Sequence, residues 1–242
     1  RVDEAARLLD LPDHPSLDGA EDVGPQIETA GKGGVLSAPE LIAAARLLRI
    51  GHEALAAVAH WKLRAPRIAE ELQPIRDLLH VAERLEETFD DEGRIRDDAS
   101  PRLGELRAKV VYLGRRVKER IEGMLKDANV LPVLQDDYYT LREGRYVLPV
   151  KSEDHRFVPG IIHGSSRTGA TIFVEPNAIV DDNNQLKVVL DAIEVEEYAI
   201  LTDRSKLLGR YTADATALSE ALWRLDSLLA RGRLARKMDA TL

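Results

Sequence analysis

Apolar positions recur along most of this chain at the three-and-four spacing of helices, and a single central stretch breaks into the short runs typical of strands. Between Leu11 and Val35 the breakers Pro12, Pro15, Gly19, Gly24, Pro25, Gly31, Gly33 and Gly34 predict a loop joining two helical stretches. Ser37 with Glu40 forms a capping box, and Leu41, Ala44, Ala45, Leu48, Ala56 and Ala59 continue it as a helical stripe. A second helix is expected from about Pro74 to Phe89. Ser100-Pro101 marks a strong start, because serine caps free amides and proline at the first position loses no hydrogen bond. Leu103, Leu106, Val110, Leu113, Val117, Ile121 and Met124 then keep a coiled-coil spacing over roughly three heptads, and Pro132 ends the run.

From Tyr138 to Val174 the pattern changes to short apolar runs, with Glu143-Gly144 and Arg167-Thr168-Gly169 as hairpin turns, which predicts four antiparallel strands. Pro176 and Asn177 open another helix that reaches Gly209, and a last one carries Leu218, Leu222, Leu225 and Leu229. The expected fold is mainly α: an elongated helical core with two long antiparallel coiled-coil arms carrying a small antiparallel β clamp at the tip. Its expected parts are a helical core or lever over 1–100, an outgoing arm over 101–134, a β-rich tip over 135–176, and a returning arm and core helix over 177–242.

Charge supports the pairing of the arms. Arg102 to Lys126 holds eight basic and three acidic residues, whereas Asn177 to Leu208 holds three basic and seven acidic ones. Over all 242 residues the net charge is −8, so nucleic-acid contact, if any, must be local. The absence of cysteine excludes thiolate chemistry and fits a reducing compartment. No apolar run approaches the roughly 20 residues needed to cross a bilayer, and the first residues lack a signal peptide's apolar stretch. A cytoplasmic localisation is therefore expected. The chain starts without methionine, which suggests a piece of a longer protein.

The sequence carries no recognisable catalytic pattern. Gly31-Lys32-Gly33-Gly34 lacks the spacing and hydroxyl of a phosphate loop, and His14, His52, His60, His80, His155 and His163 form no metal-binding arrangement. Asp181-Asp182-Asn183-Asn184 falls in the first turns of a helix, where acidic groups suit the helix dipole. Ser165 and Ser166 near His163 have no third member that would make a nucleophile.

The stretch Thr140-Leu141-Arg142-Glu143-Gly144-Arg145-Tyr146-Val147-Leu148-Pro149-Val150-Lys151 is followed by Gly160-Ile161-Ile162-His163. Next come Gly169-Ala170-Thr171-Ile172-Phe173-Val174-Glu175-Pro176 and Asn183-Asn184-Gln185-Leu186. Together with Lys32 to Ser37 and Ile95 to Pro101, these resemble the bacterial MutS-II family, relatives of the mismatch-repair MutS proteins. The resemblance implies core (lever) and clamp domains without a front mismatch-reading domain. It places ATP and magnesium in an ATPase domain, and a nuclease in a C-terminal domain, neither of which is in this sequence. It further implies branched DNA as a partner in recombination suppression or repair, a homodimer for the full-length protein, and for some members an association with stalled ribosomes.

The expected function is accordingly a non-catalytic, nucleic-acid-holding segment that is no enzyme and carries neither cofactor nor metal. A ribosome-engaging module and a dimerisation scaffold are the alternatives. Within the tip the candidate phosphate contacts are Arg142, Arg145, Lys151, Arg156 and Arg167, which border the proposed turns and loop. Against five basic residues the tip sets six acidic ones, so its isolated affinity is expected to be weak. Lys109, Arg115, Arg116 and Lys118 on the outgoing arm form the next basic surface.

Overall fold

A computed structural model describes residues 2–9, 16–72 and 74–238. In chain order the helices α1 (Val2–Leu8), α2 (Gly24–Gly31), α3 (Ala38–His60), α4 (Pro66–Leu72), α5 (Leu79–Glu86) and α6 (Pro101–Leu125) precede the strands. Four strands follow: β1 (Thr140–Arg142), β2 (Arg145–Lys151), β3 (Gly160–Ser165) and β4 (Thr171–Pro176). Helices α7 (Asn177–Gly209) and α8 (Thr212–Lys237) close the chain, which divides into two compact units. One unit joins Arg1–Ala99 to Tyr198–Leu242, and the other is Ser100–Glu197.

In the first unit α3 packs on α5 and α8. Its start is set by the expected capping box: the Glu40 carboxylate accepts from the Ser37 amide at 2.8 Å and from its hydroxyl at 2.7 Å. Those two donors hold the Glu40 carboxyl below its ordinary range. Leu41, Ala44, Ala45 and Leu48 are buried. Sequence-distant polar groups tie the unit together. The carboxylate of Glu4 accepts from the backbone amides of Arg67 and Ile68, each at 3.1 Å, and Arg204 donates to Thr88 Oγ1 at 2.7 Å.

Two expectations for this unit are corrected. The stretch read as loop contains α2, because Pro25 stands in a helical first turn, where its missing N–H is harmless. The helix expected from Pro74 starts only at Leu79, and α4 precedes it. Leu11, Pro12, His14 and Pro15 lie outside the described residues.

The second unit is built around an antiparallel sheet in the order β1-β2-β4-β3. Its first hairpin turns at Glu143 and Gly144, with φ of 50° and 76°, the doubly positive pair that a two-residue turn demands. Helix α6 begins as its sequence prescribes, with Ser100 Oγ accepting from the Leu103 amide at 3.0 Å.

The coiled-coil arms are overturned. In a coiled coil the stripe of α6 would lock into α7 along its length, but the two backbones share no such seam. Val117 and Ile121 instead enter the sheet's core with Leu134, Leu148, Val150, Val174 and Ile179. Leu113, with Leu106 and Val110 partly buried beside it, meets Leu186 and Val189 of α7, while among the described residues the only α7 residue in the sheet's core cluster is Ile179. The first hairpin is the cause: Tyr146 packs against both clusters, so the helical stripe is shared between a sheet and a helix. Ile200, further along α7, belongs to the other unit.

This division predicts unequal responses along one stripe. Val117 is fully buried and Val110 is not, so Val117→Asp should destabilise this unit by about 4 kcal/mol while Val110→Asp costs much less. Thermal melts followed by circular dichroism will separate the two, since a coiled-coil seam would have made them alike.

Candidate nucleic-acid interface

The sheet and the first turns of α7 converge on one buried carboxylate. Glu175, near the end of β4, is 0% exposed. Its Oε1 accepts from Arg145 Nη1 and from Asn183 Nδ2, each at 2.8 Å, and its Oε2 lies 2.6 Å from His163 Nε2. Asn183 also exchanges bonds with the backbone of Tyr146, donating to its carbonyl at 3.1 Å and accepting from its amide at 3.3 Å. A second nitrogen of Arg145 donates to Asn184 Oδ1 at 2.7 Å. Every hydrogen-bonding demand of the carboxylate is thus met inside the fold.

Strand register explains how these residues meet. Ile161 pairs with Glu175, and His163 two positions on shares its face. Gly160 is required beside them, because a Cβ there would stand 2.1 Å from the Glu175 carbonyl oxygen.

A second buried carboxylate, Asp182, is also 0% exposed and lies 2.6 Å from Arg116 and 2.8 Å from Arg120. Its oxygens have opposite charge nearby but no well-directed hydrogen bond among the described residues. Tyr112 foremost, then Asp182, push the Arg116 guanidinium further above its ordinary range.

The five candidate contacts divide into two groups. Arg145 is held by Glu175 and Asn184, Lys151 donates to the Pro132 carbonyl at 2.7 Å, and Arg142 sits 4.0 Å over the Phe173 ring. Arg156, in the short turn His155–Phe157, and Arg167, in the second hairpin, are exposed and have no hydrogen-bonding or ionic partner among the described residues. On α6, Arg102 and Arg107 pair with Glu196 and Glu197 at 3.5 and 2.7 Å. Lys109, Arg115 and Lys118 are exposed without partners among the described residues.

Sequence reasoning gave no role to Glu175, His163 or Asn183. The available signal was a carboxylate at the end of the apolar run Ile172-Phe173-Val174, where an acid needs internal partners. Among the described residues no group of three or more His, Asp or Glu side chains is placed to hold a metal ion, and no helix is long and apolar enough to cross a membrane.

Four of the six stretches that carry the sequence resemblance are thus the ones that build the sheet, its turn and its buried network. No family profile matches the chain. Among curated proteins the chain is similar to several named Endonuclease MutS2. It is 33% identical to a protein of Pelotomaculum thermopropionicum named Endonuclease MutS2, over 98% of this chain and 30% of that protein. Proteins of the same name from an Anaeromyxobacter species and from Halalkalibacterium halodurans are 36% and 31% identical, over 99% and 100% of this chain and 30% and 31% of their own lengths. The chain spans about 30% of the length of the curated relatives it matches. These names speak against the expectation that this segment is no enzyme, since the relatives matched over nearly the whole chain are named endonucleases.

The network yields a stability prediction. Arg145→Ala removes one charge from a fully buried carboxylate and should cost about 3 kcal/mol, whereas Arg167→Ala, on an exposed turn, should cost almost nothing. Urea denaturation of both variants will check this, and equal midpoints would show that the network carries no stability.

Proposed function

We propose that this chain holds nucleic acid for a MutS2-type endonuclease, with branched DNA as the substrate in recombination control or repair. The observation that carries the reading is the sorting of cations in the unit Ser100–Glu197. Arg145, Arg116, Arg120, Arg102 and Arg107 are bound to acidic partners, while Arg156, Arg167, Lys109, Arg115 and Lys118 are left to face solvent. Unpaired cations on a chain of net charge −8 make attraction for phosphate local. In this reading the sheet unit acts as the clamp, Arg142, Arg145 and Lys151 position its surface from within, and Arg156 and Arg167 touch the phosphate backbone. Contacts of that kind bind without regard to base sequence. The helical unit acts as the core to which the clamp belongs, and ATP and magnesium are used elsewhere in the full-length protein.

Replacing Arg156, Arg167, Lys109, Arg115 and Lys118 by Ala should weaken binding to a four-way DNA junction and flatten its salt dependence by about one unit of slope per lost contact. Filter-binding titrations at several salt concentrations measure both. Unchanged affinity and slope in a folded variant would end the DNA reading, and retention of ribosomes or a second copy of the chain by the wild type in the same assay format would redirect it.

A further inference from the structure

Helix α6, the first hairpin and the N-terminal half of α7 enclose an open groove of about 730 Å³ within the sheet unit. Leu141, Tyr146, Leu186 and Leu190 supply its apolar surface. Two cations without internal partners, Arg115 and Lys118, border it together with the carboxylates Glu119 and Glu122. A glycine forms part of the α6 wall: Gly114 lies in mid-helix, and a Cβ built there meets nothing within 4 Å. Glycine is among the poorest residues for a helix interior. No neighbour inside the fold stands over it, so the groove reaches the α6 backbone there.

We infer that this groove receives a single unstacked nucleotide of a DNA strand. The inference rests on the nucleic-acid reading above and names the part of the substrate that this place takes. Leu141 and Tyr146 offer the flat, partly aromatic floor on which a base face packs. Arg115 and Lys118 match the charge of its phosphate, and Glu119 and Glu122 accept from the exocyclic amino group of a base, which a bare polyanion site would have no reason to include. Gly114 lets the sugar approach the helix backbone. Paired bases inside a duplex present no free face, whereas the unpaired nucleotides at a branch do.

The test uses the 242-residue chain, a five-nucleotide single strand with 2-aminopurine at its centre, and a fully paired duplex. Wild-type protein should change the 2-aminopurine fluorescence on binding. Gly114→Leu fills the groove and favours the helix, so it should keep or raise the melting temperature, lower affinity for the five-nucleotide strand at least tenfold, and leave duplex binding unaltered. Lys118→Ala should lower affinity for the strand several-fold in a folded protein. No fluorescence change with wild type, or equal affinities in wild type and Gly114→Leu, would overturn the inference and give the groove to a protein segment. Loss of junction and duplex binding with the strand still bound would instead remove the broader DNA-holding reading while leaving the groove assignment intact.

Discussion

The sheet unit depends on a carboxylate taken out of water. A buried Glu175 without partners would be costly enough to prevent β4 from adopting its place. With Arg145 from β2, His163 from β3 and Asn183 from α7 around it, the same charge selects one arrangement of three strands and a helix. Slipping any strand by one residue would turn its contributor to the opposite face and leave the acid unpaired. Apolar burial supplies the bulk of the stabilisation around Leu148, Val150 and Val174, but it is indifferent to such slips where Ile, Val and Leu alternate with other apolar residues. The network supplies the discrimination.

The same network decides which cations remain for a ligand. Arg145 carries a charge that sequence alone would offer to phosphate, yet its guanidinium is directed at Glu175 and Asn184. Asp182 similarly takes up Arg116 and Arg120, leaving Arg115 and Lys118 on another side of the same helix. Internal acids thereby shape an external basic surface without adding net positive charge. In the proposed reading, a nucleic-acid strand meets a few exposed cations beside apolar ground.

Local signals were the most legible part of the sequence. Ser100-Pro101, Ser37 with Glu40, and Glu143-Gly144 each act through atoms within a few residues, so the chain declares the outcome without reference to distant contacts. Pro25 shows how such a signal can mislead, because a proline that ends one helix can equally begin another. The stripe from Leu103 to Met124 correctly marked a buried face but could not say what would cover it. Its first half meets Leu186 and Val189 of α7 and its second half the sheet core together with Ile179 of α7, with Tyr146 touching both. Arg145 and Glu175 are 30 positions apart, and no spacing rule announces a partner at that range. The sequence therefore shows the cations of this unit but not which of them internal acids hold.

The helical unit is discontinuous, because Arg1–Ala99 is completed only by Tyr198–Leu242, with the entire sheet unit lying between them in sequence. Its first helix packs against its last, and at Gly232 the two backbones come so close that a Cβ would stand 2.9 Å from the Ala6 nitrogen. On a translating ribosome this order has a consequence for timing. The inserted sheet unit has all of its residues available while α1 to α5 still wait for α8, so the piece made in the middle is able to reach its final form before the piece that was started first.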